Sequence, residues 1–244
     1  MATALLAAVA VVVGFFIGSV GVGGVLLIPA LALLGGLDIH RAAATALFTF
    51  FFTGVLGTWL FYRRGSIDWR MAAPVCVGSV LFSYLGALVN SLLPPRPLAL
   101  IIAAIIVFAG VYVLFPPKSH GPARTGKEKW LLGGVGALAG FGSGLSGAGG
   151  ALFSVPMMMV LGFVPLAAIG TSQVLQMVVA LSGTAGNLQF GGVDFATAAW
   201  VSALSMLGVV LGARAAHAVS ALALRRLAGG LCVVSAALLL WRSL

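Results

Sequence analysis

Apolar residues fall in long runs along this chain, and charged residues stand almost only in the gaps between them. In the first half the runs cover about 2–20, 24–36, 41–62, 69–92 and 97–115; in the second, about 130–146, 150–162, 167–188, 195–217 and 222–242. A full crossing of the bilayer takes about 20 apolar residues at 1.5 Å each. The second run of each half holds only about 13 residues, too few to cross alone. Each short run is therefore predicted to be a half-helix, broken or re-entrant, entered from a glycine break. Pro29 and Pro156 sit inside these short runs, where a helix enclosed by protein tolerates a freed carbonyl.

The two sets of runs are copies. Sliding the sequence by 126 positions lays Gly14-Phe15 on Gly140-Phe141, Gly18 on Gly144, and Gly21-Val22-Gly23-Gly24 on Gly147-Ala148-Gly149-Gly150. Thr45 falls on Thr171, Gly57-Thr58 on Gly183-Thr184, Gly65 on Gly191, Asp68 on Asp194, and Leu85-Gly86 on Leu211-Gly212. The matches are mostly glycine and small polar residues rather than the abundant Leu, Val and Ala, which points to duplication. Duplicated membrane halves with glycine breaks at corresponding positions are a transporter pattern, with the site where the halves meet.

Composition narrows the class. Apolar residues make up 61% and charged residues 7% of the 244, too little charge to coat a soluble core. The net charge of +9 does not indicate nucleic acid, because the 13 Lys and Arg form no face or tail. Cys76 and Cys232 lie inside apolar runs without a CxxC partner and read as packing residues. The apolar N-terminus has no basic lead-in and belongs to the first copy, so it reads as structural.

Charge also sets the topology. With five runs per half, ten basic residues share one side: Arg63, Arg64, Arg70, Lys118, Arg124, Lys127, Lys129, Arg214, Arg225 and Arg226. Only Arg41, Arg96 and Arg242, three in all, face the other. Four runs per half give eight against five, so five is preferred. An odd number inserts the second half upside down. The expected architecture is an all-α polytopic membrane protein of two inverted-topology repeats, 1–115 and 130–244. They are joined by a cytoplasmic linker at 116–129, with both termini external.

Three constellations carry candidate chemistry. The breaks at 21–24 and 147–150 each precede a half-helix, whose uncommitted N–H groups and dipole favour an anion. The spacing of Gly14, Gly18, Gly140 and Gly144 by four reads instead as helix packing. The third run of each half supplies Thr45, Thr49 and Thr53, or Thr171, Ser172, Gln173 and Gln176. Hydroxyls often bond back to their own helix, but each glutamine has four hydrogen-bonding positions to satisfy. The loops Gly65-Ser66-Ile67-Asp68-Trp69 and Gly191-Gly192-Val193-Asp194-Phe195 read as turn, helix cap and interfacial anchor. Asp38, His40 and Arg41 lie in an external turn with no counterpart in the second half and could attract or gate an anion. No hydrolase, Walker or paired-carboxylate pattern occurs, and neither copy has a mid-run acid for a proton relay.

At these residues the chain resembles the sulfite exporter TauE/SafE family. The similarity rests on the GxGG break followed by a proline and on the step Gly170-Thr171-Ser172. It rests also on Gly65-Ser66-Ile67-Asp68-Trp69 after the pair Arg63-Arg64, and it extends over nearly the whole chain. The first half departs from it, reading Ala44-Thr45-Ala46 in place of Gly-Thr-Ser. The resemblance implies a secondary transporter of small sulfur-containing or organic anions such as sulfite, sulfoacetate or other organosulfonates, in the bacterial inner membrane. The expected substrate-binding residues are Gly21, Gly23, Gly24, Thr45, Thr49, Ser146, Gly147, Gly149, Gly150, Thr171, Ser172, Gln173 and Gln176. Expected partners are the anion and the lipid bilayer; no catalytic residue, metal, cofactor or nucleic acid is expected. The coupling ion, direction of transport and homodimer formation stay open. So do a passive anion channel, an uptake carrier for a carboxylate, and a non-transporting membrane subunit.

Overall fold

A computed structural model describes residues 2–21, 23–115, 128–190, 192–215 and 230. The tenth expected run, 222–242, and linker residues 116–127 lie outside them, as do Cys232, His217, Arg225, Arg226 and Arg242. The secondary-structure elements among the described residues are all helices: α1 (Ala2–Val20), a 3₁₀ turn (Gly24–Leu26) leading into α2 (Leu27–Leu33), α3 (Ile39–Arg63), α4 (Trp69–Leu92) and α5 (Pro95–Leu114). Then come α6 (Glu128–Ser146), α7 (Ala151–Val160), α8 (Pro165–Phe190) and α9 (Phe195–Ala215). α6 thus takes Glu128 and Lys129 into its first turn, two residues before the end of the expected linker.

Among the described residues, the helices long and apolar enough to cross a bilayer are α1, α3, α4, α8 and α9. α6 has comparable length, but its six glycines dilute its hydropathy. The runs Gly24–Leu33, Pro95–Val111 and Ala151–Val160 are shorter apolar helices.

Local chemistry sets the helix ends. Asp38 caps α3 by accepting from the His40 and Arg41 N–H groups at 3.1 and 3.0 Å, and Asp68 caps α4 through the Arg70 N–H at 2.9 Å. Asp194 caps α9 through the Thr197 N–H at 2.9 Å. Each carboxylate satisfies one or two of the donors that a helix start leaves open. Gly65 closes its turn at φ +64°, and Trp69 stands exposed beside it, as the turn, cap and anchor reading anticipates.

The halves exchange partners. α1 packs on α9 and α6 packs on α4, each pair running parallel. A Cβ on Gly14 would fall on the Ser205 carbonyl, and one on Gly140 would lie 2.6 Å from the Ser79 carbonyl, the same contact displaced by 126 positions. Gly18 meets Val209 as Gly144 meets Ser83, and Gly212 meets Phe15 as Gly86 meets Phe141. α3 and α8 lie side by side and antiparallel, Leu47 against Gly183 and Gly54 against Met177. The short helices are enclosed: Leu27, Ile28, Pro29, Ala30, Leu31 and Ala32 of α2 are all buried, as are Leu152, Val155, Pro156 and Met158 of α7. Lipid tails are as apolar as leucine, so helix association here draws on close backbone packing.

These contacts separate glycines that hold the fold from those that do not. Gly136 faces the Val75 carbonyl with no room for a methyl, while Gly134 on the same helix opens to free space. Gly136→Ala is expected to destabilise by about 1–3 kcal/mol, the range for overpacking. Gly134→Ala is expected to be neutral or to stabilise by up to about 1 kcal/mol. Thermal unfolding of the detergent-purified protein checks both.

Candidate functional site

The two glycine breaks meet halfway along the antiparallel pair α3 and α8. A Cβ on Gly24 would lie 2.7 Å from the Ala148 carbonyl of the other break and 2.8 Å from the Phe50 ring. Gly149 lies near the same ring and the Gln176 amide, at 3.4 and 3.6 Å. Gly21 packs on Ile169 as Gly147 packs on Ala43, again one contact seen twice. Gly23 turns back against Val13 and Phe16 of α1. Gly147 and Gly149 have φ of +73° and +83°, a region that costs other L-residues roughly 1–2 kcal/mol. There the chain reverses into α7 without leaving the protein interior.

The two short helices differ. α7 is a ten-residue α-helix with Gly150 at its N-cap. Its first internal bond runs from the Ser154 N–H to the Gly150 carbonyl at 3.1 Å. The N–H groups ahead of it are the open donors of a helix start. In the first half a 3₁₀ turn precedes only seven α-helical residues, so the first break leads into its helix differently from the second.

The hydroxyls divide into spent and unspent. Thr49 donates to the Thr45 carbonyl at 3.0 Å, Ser172 to Ile169 at 2.7 Å, and Ser146 to Gly142 at 2.6 Å, each bonding back to its own helix. Ser146 also accepts from the Ala148 N–H at 3.2 Å, steadying the second break. Thr45 accepts from the Asp194 N–H at 3.1 Å, a contact between halves. The Thr171 hydroxyl, fully buried, has no partner among the described residues, and neither has the Ser154 hydroxyl on α7.

The glutamines tie the halves together. Gln176 donates to the Thr53 hydroxyl at 2.9 Å, and that hydroxyl donates to the Phe50 carbonyl at 3.2 Å. Gln173 donates a long 3.3 Å bond to the Ile17 carbonyl, while its buried Oε1, against Gly57, has no donor. Leu47 occupies the matching place in the other copy, against Gly183. Gln173 and Leu47 therefore fill equivalent notches, one polar and one apolar.

Sequence reasoning passed over Phe50, whose fully buried ring touches both breaks. Its signal was available: Phe50 is the counterpart of Gln176 at the 126-residue offset. Asn90 was missed as well. It donates to the Leu145 carbonyl at 2.6 Å, just before the second break, and its Oδ1 lies 3.2 Å from His40 Nδ1. His40 is thereby packed against the helices, while Arg41 beside it is exposed.

Comparison with known proteins identifies the family. The sequence profile described as "Sulfite exporter TauE/SafE" matches residues 6–239. The "probable membrane transporter protein YdhB" of Bacillus subtilis is 27% identical over 208 residues, covering 82% of this chain and 85% of its own. The "probable membrane transporter protein MJ0441" of Methanocaldococcus jannaschii is 26% identical, covering 68% and 71% respectively. No solved structure matches. With the profile spanning nearly the whole chain and membrane-crossing helices on both sides of the duplication, the protein is a multi-pass membrane transporter, and it belongs to the sulfite exporter TauE/SafE family.

Proposed function

We propose that the chain is a secondary transporter of small sulfur-containing or organic anions, such as sulfite, sulfoacetate or other organosulfonates. The anion is held near mid-membrane and exposed to each side in turn. The observation that carries this reading is the meeting of both glycine breaks between α3 and α8, with the loosely held Gln173 amide reaching the end of α1 at the first break. The unspent Thr171 hydroxyl stands two residues before Gln173 on α8, toward the loop end. The start of α7 supplies uncharged N–H donors, and a site without formal charge can release its anion as well as bind it. The second half contributes more of the site, through Gly147, Gly149, Gly150, Thr171, Gln173 and Gln176. Gly21, Gly23 and Gly24 shape the opposite wall. Thr49, Ser146 and Ser172, spent on their own helices, hold the backbone around it.

The inverted arrangement is part of the same proposal. Corresponding helices α3 and α8 run antiparallel, and α1 follows α9 while α6 follows α4; both facts support a pseudo-two-fold axis lying across the helices. The bond from the Arg64 guanidinium to the Ala213 carbonyl, 2.8 Å, gathers Arg63, Arg64 and Arg214 at one end. That end is the cytoplasmic one by charge. The reading places the protein in a bacterial inner membrane.

Two experiments bear on the reading. Because Leu47 already fills the matching notch, Gln173→Leu is expected to fold and melt like the wild type yet to transport at least about tenfold more slowly, a loss near 1.4 kcal/mol. Unchanged flux would make Gln173 a packing residue. Gly149→Ala is expected to reach the membrane while transport falls by a similar factor, since a methyl at φ +83° reshapes the break. Both are measured as anion flux into proteoliposomes. Counterflow of labelled against unlabelled anion separates a carrier from a channel. A thermal-shift series over sulfite, sulfate, organosulfonates and carboxylates names the substrate, because binding to the folded state raises its stability.

A further inference from the structure

The duplication places the same two residues opposite each other at both ends of the core: a threonine near the start of the third helix, and an aspartate capping the fourth. At one end the pair is joined, the Asp194 N–H donating to the Thr45 hydroxyl at 3.1 Å. At the other end the counterparts are Thr171 and Asp68, and they are apart. The Thr171 hydroxyl is buried without a partner, so the Asp68 N–H does not reach it. The surroundings differ in the same sense. A shallow surface depression of about 540 Å³ lies at the Asp68 end, lined by residues 65–70 with Val164, Leu166 and Ala167. The matching residues at the Asp194 end have drawn together: Arg41 Nε is 3.6 Å from where a Cβ on Gly192 would stand, and Val193 is 8% exposed. Asp68 is exposed, whereas Asp194 is half-buried.

We propose that Thr45 with Asp194, and Thr171 with Asp68, are two alternating latches of the transport cycle, the first closed and the second open in this state. The proposal rests on the alternating-access reading above. Because both members of each pair are identical in the two copies, either latch can form with the same bond. What holds the second one open is a single substitution between copies. The Ser66 carbonyl sits directly against Gly170, where the first copy has Ala44 and its methyl. Seated there, the loop stops short of Thr171. A hydroxyl can also accept and donate at once. Thr171 can therefore accept from Asp68 while its own proton turns to a bound anion, which links occupancy to closure.

The test uses the full chain with Cys76→Ala and Cys232→Ala and one reporter at a time, Ile67→Cys at the open end or Val193→Cys at the closed end. Each is reacted in membranes, from its own side, with an impermeant maleimide. Ile67→Cys is expected to react faster than Val193→Cys. Thr45→Val, which keeps the shape and removes the acceptor, is expected to speed Val193→Cys and slow Ile67→Cys. Each change is about two- to tenfold, the shift produced by losing one hydrogen bond. Thr171→Val shifts both the opposite way, and Thr45→Ser restores the original pattern. Gly170→Ala, by evicting the Ser66 carbonyl, is expected to favour exposure of Val193→Cys. If Thr45→Val moves only its own loop, or both reporters rise together, the latches are uncoupled and the proposal fails. It fails equally if Gly170→Ala protects Ile67→Cys without exposing Val193→Cys, since the difference would then belong to the loops alone. Reciprocal reporters in a protein that moves no anion keep the latches and overturn the transport reading. Anion flux with unresponsive reporters does the reverse.

Discussion

Inside a bilayer, no backbone N–H or C=O can be left to water, so an interrupted helix survives only where protein surrounds it. The arrangement around α2 and α7 follows from that constraint. Both helices are too short to cross and begin at glycine breaks, and both are packed inside the outer helices, with Phe50 filling the space between the breaks. Close packing of the enclosure depends on glycine as well. Along α1 with α9, and α4 with α6, backbones approach until carbonyls occupy the places where side chains would begin. The breaks and their enclosure are thus made possible by one residue type, used for turning in the first case and for nearness in the second.

Much of this was legible in the residues themselves. The run of 69–92 coincides with α4, and most other run boundaries lie within two or three residues of the helices. Such accuracy is natural where hydropathy decides length and aspartates mark the starts. The breaks were legible for the same reason, since few sequences place glycine three times in four positions without needing the backbone to turn. Partner exchange was not legible. Hydropathy identifies a membrane segment but carries nothing about its neighbour, and glycine faces specify closeness without naming a mate.

Within the site, residue type predicted polarity and missed engagement. Thr49, Ser146 and Ser172 are spent on backbone carbonyls three or four residues back, a choice that rotamers make and sequence does not record. Gln176 and Gln173 reach across to α3 and α1, although the buried Gln173 Oε1 finds no donor. Phe50 was hidden because an aromatic in an apolar run looks ordinary; only its place opposite Gln176 distinguishes it. The departures from symmetry hold more information than the matches. Leu47 against Gln173, Phe50 against Gln176 and Ala44 against Gly170 turn an even scaffold into one with a polar and an apolar side.

The partner exchange also bears on biosynthesis. Gly14 of α1 has no mate until Ser205 of α9 has been made, 191 residues later by their numbering. At roughly 5–20 residues per second, that glycine stripe faces lipid or the insertion machinery for about 10–40 s. Lipid can solvate it at small cost, because a stripe of glycine exposes little that hydrocarbon cannot cover. The same stripe would also accept a second nascent chain in place of its own α9. The interval before α9 exists is thus the period in which the close packing of α1 depends on whatever else the bilayer supplies.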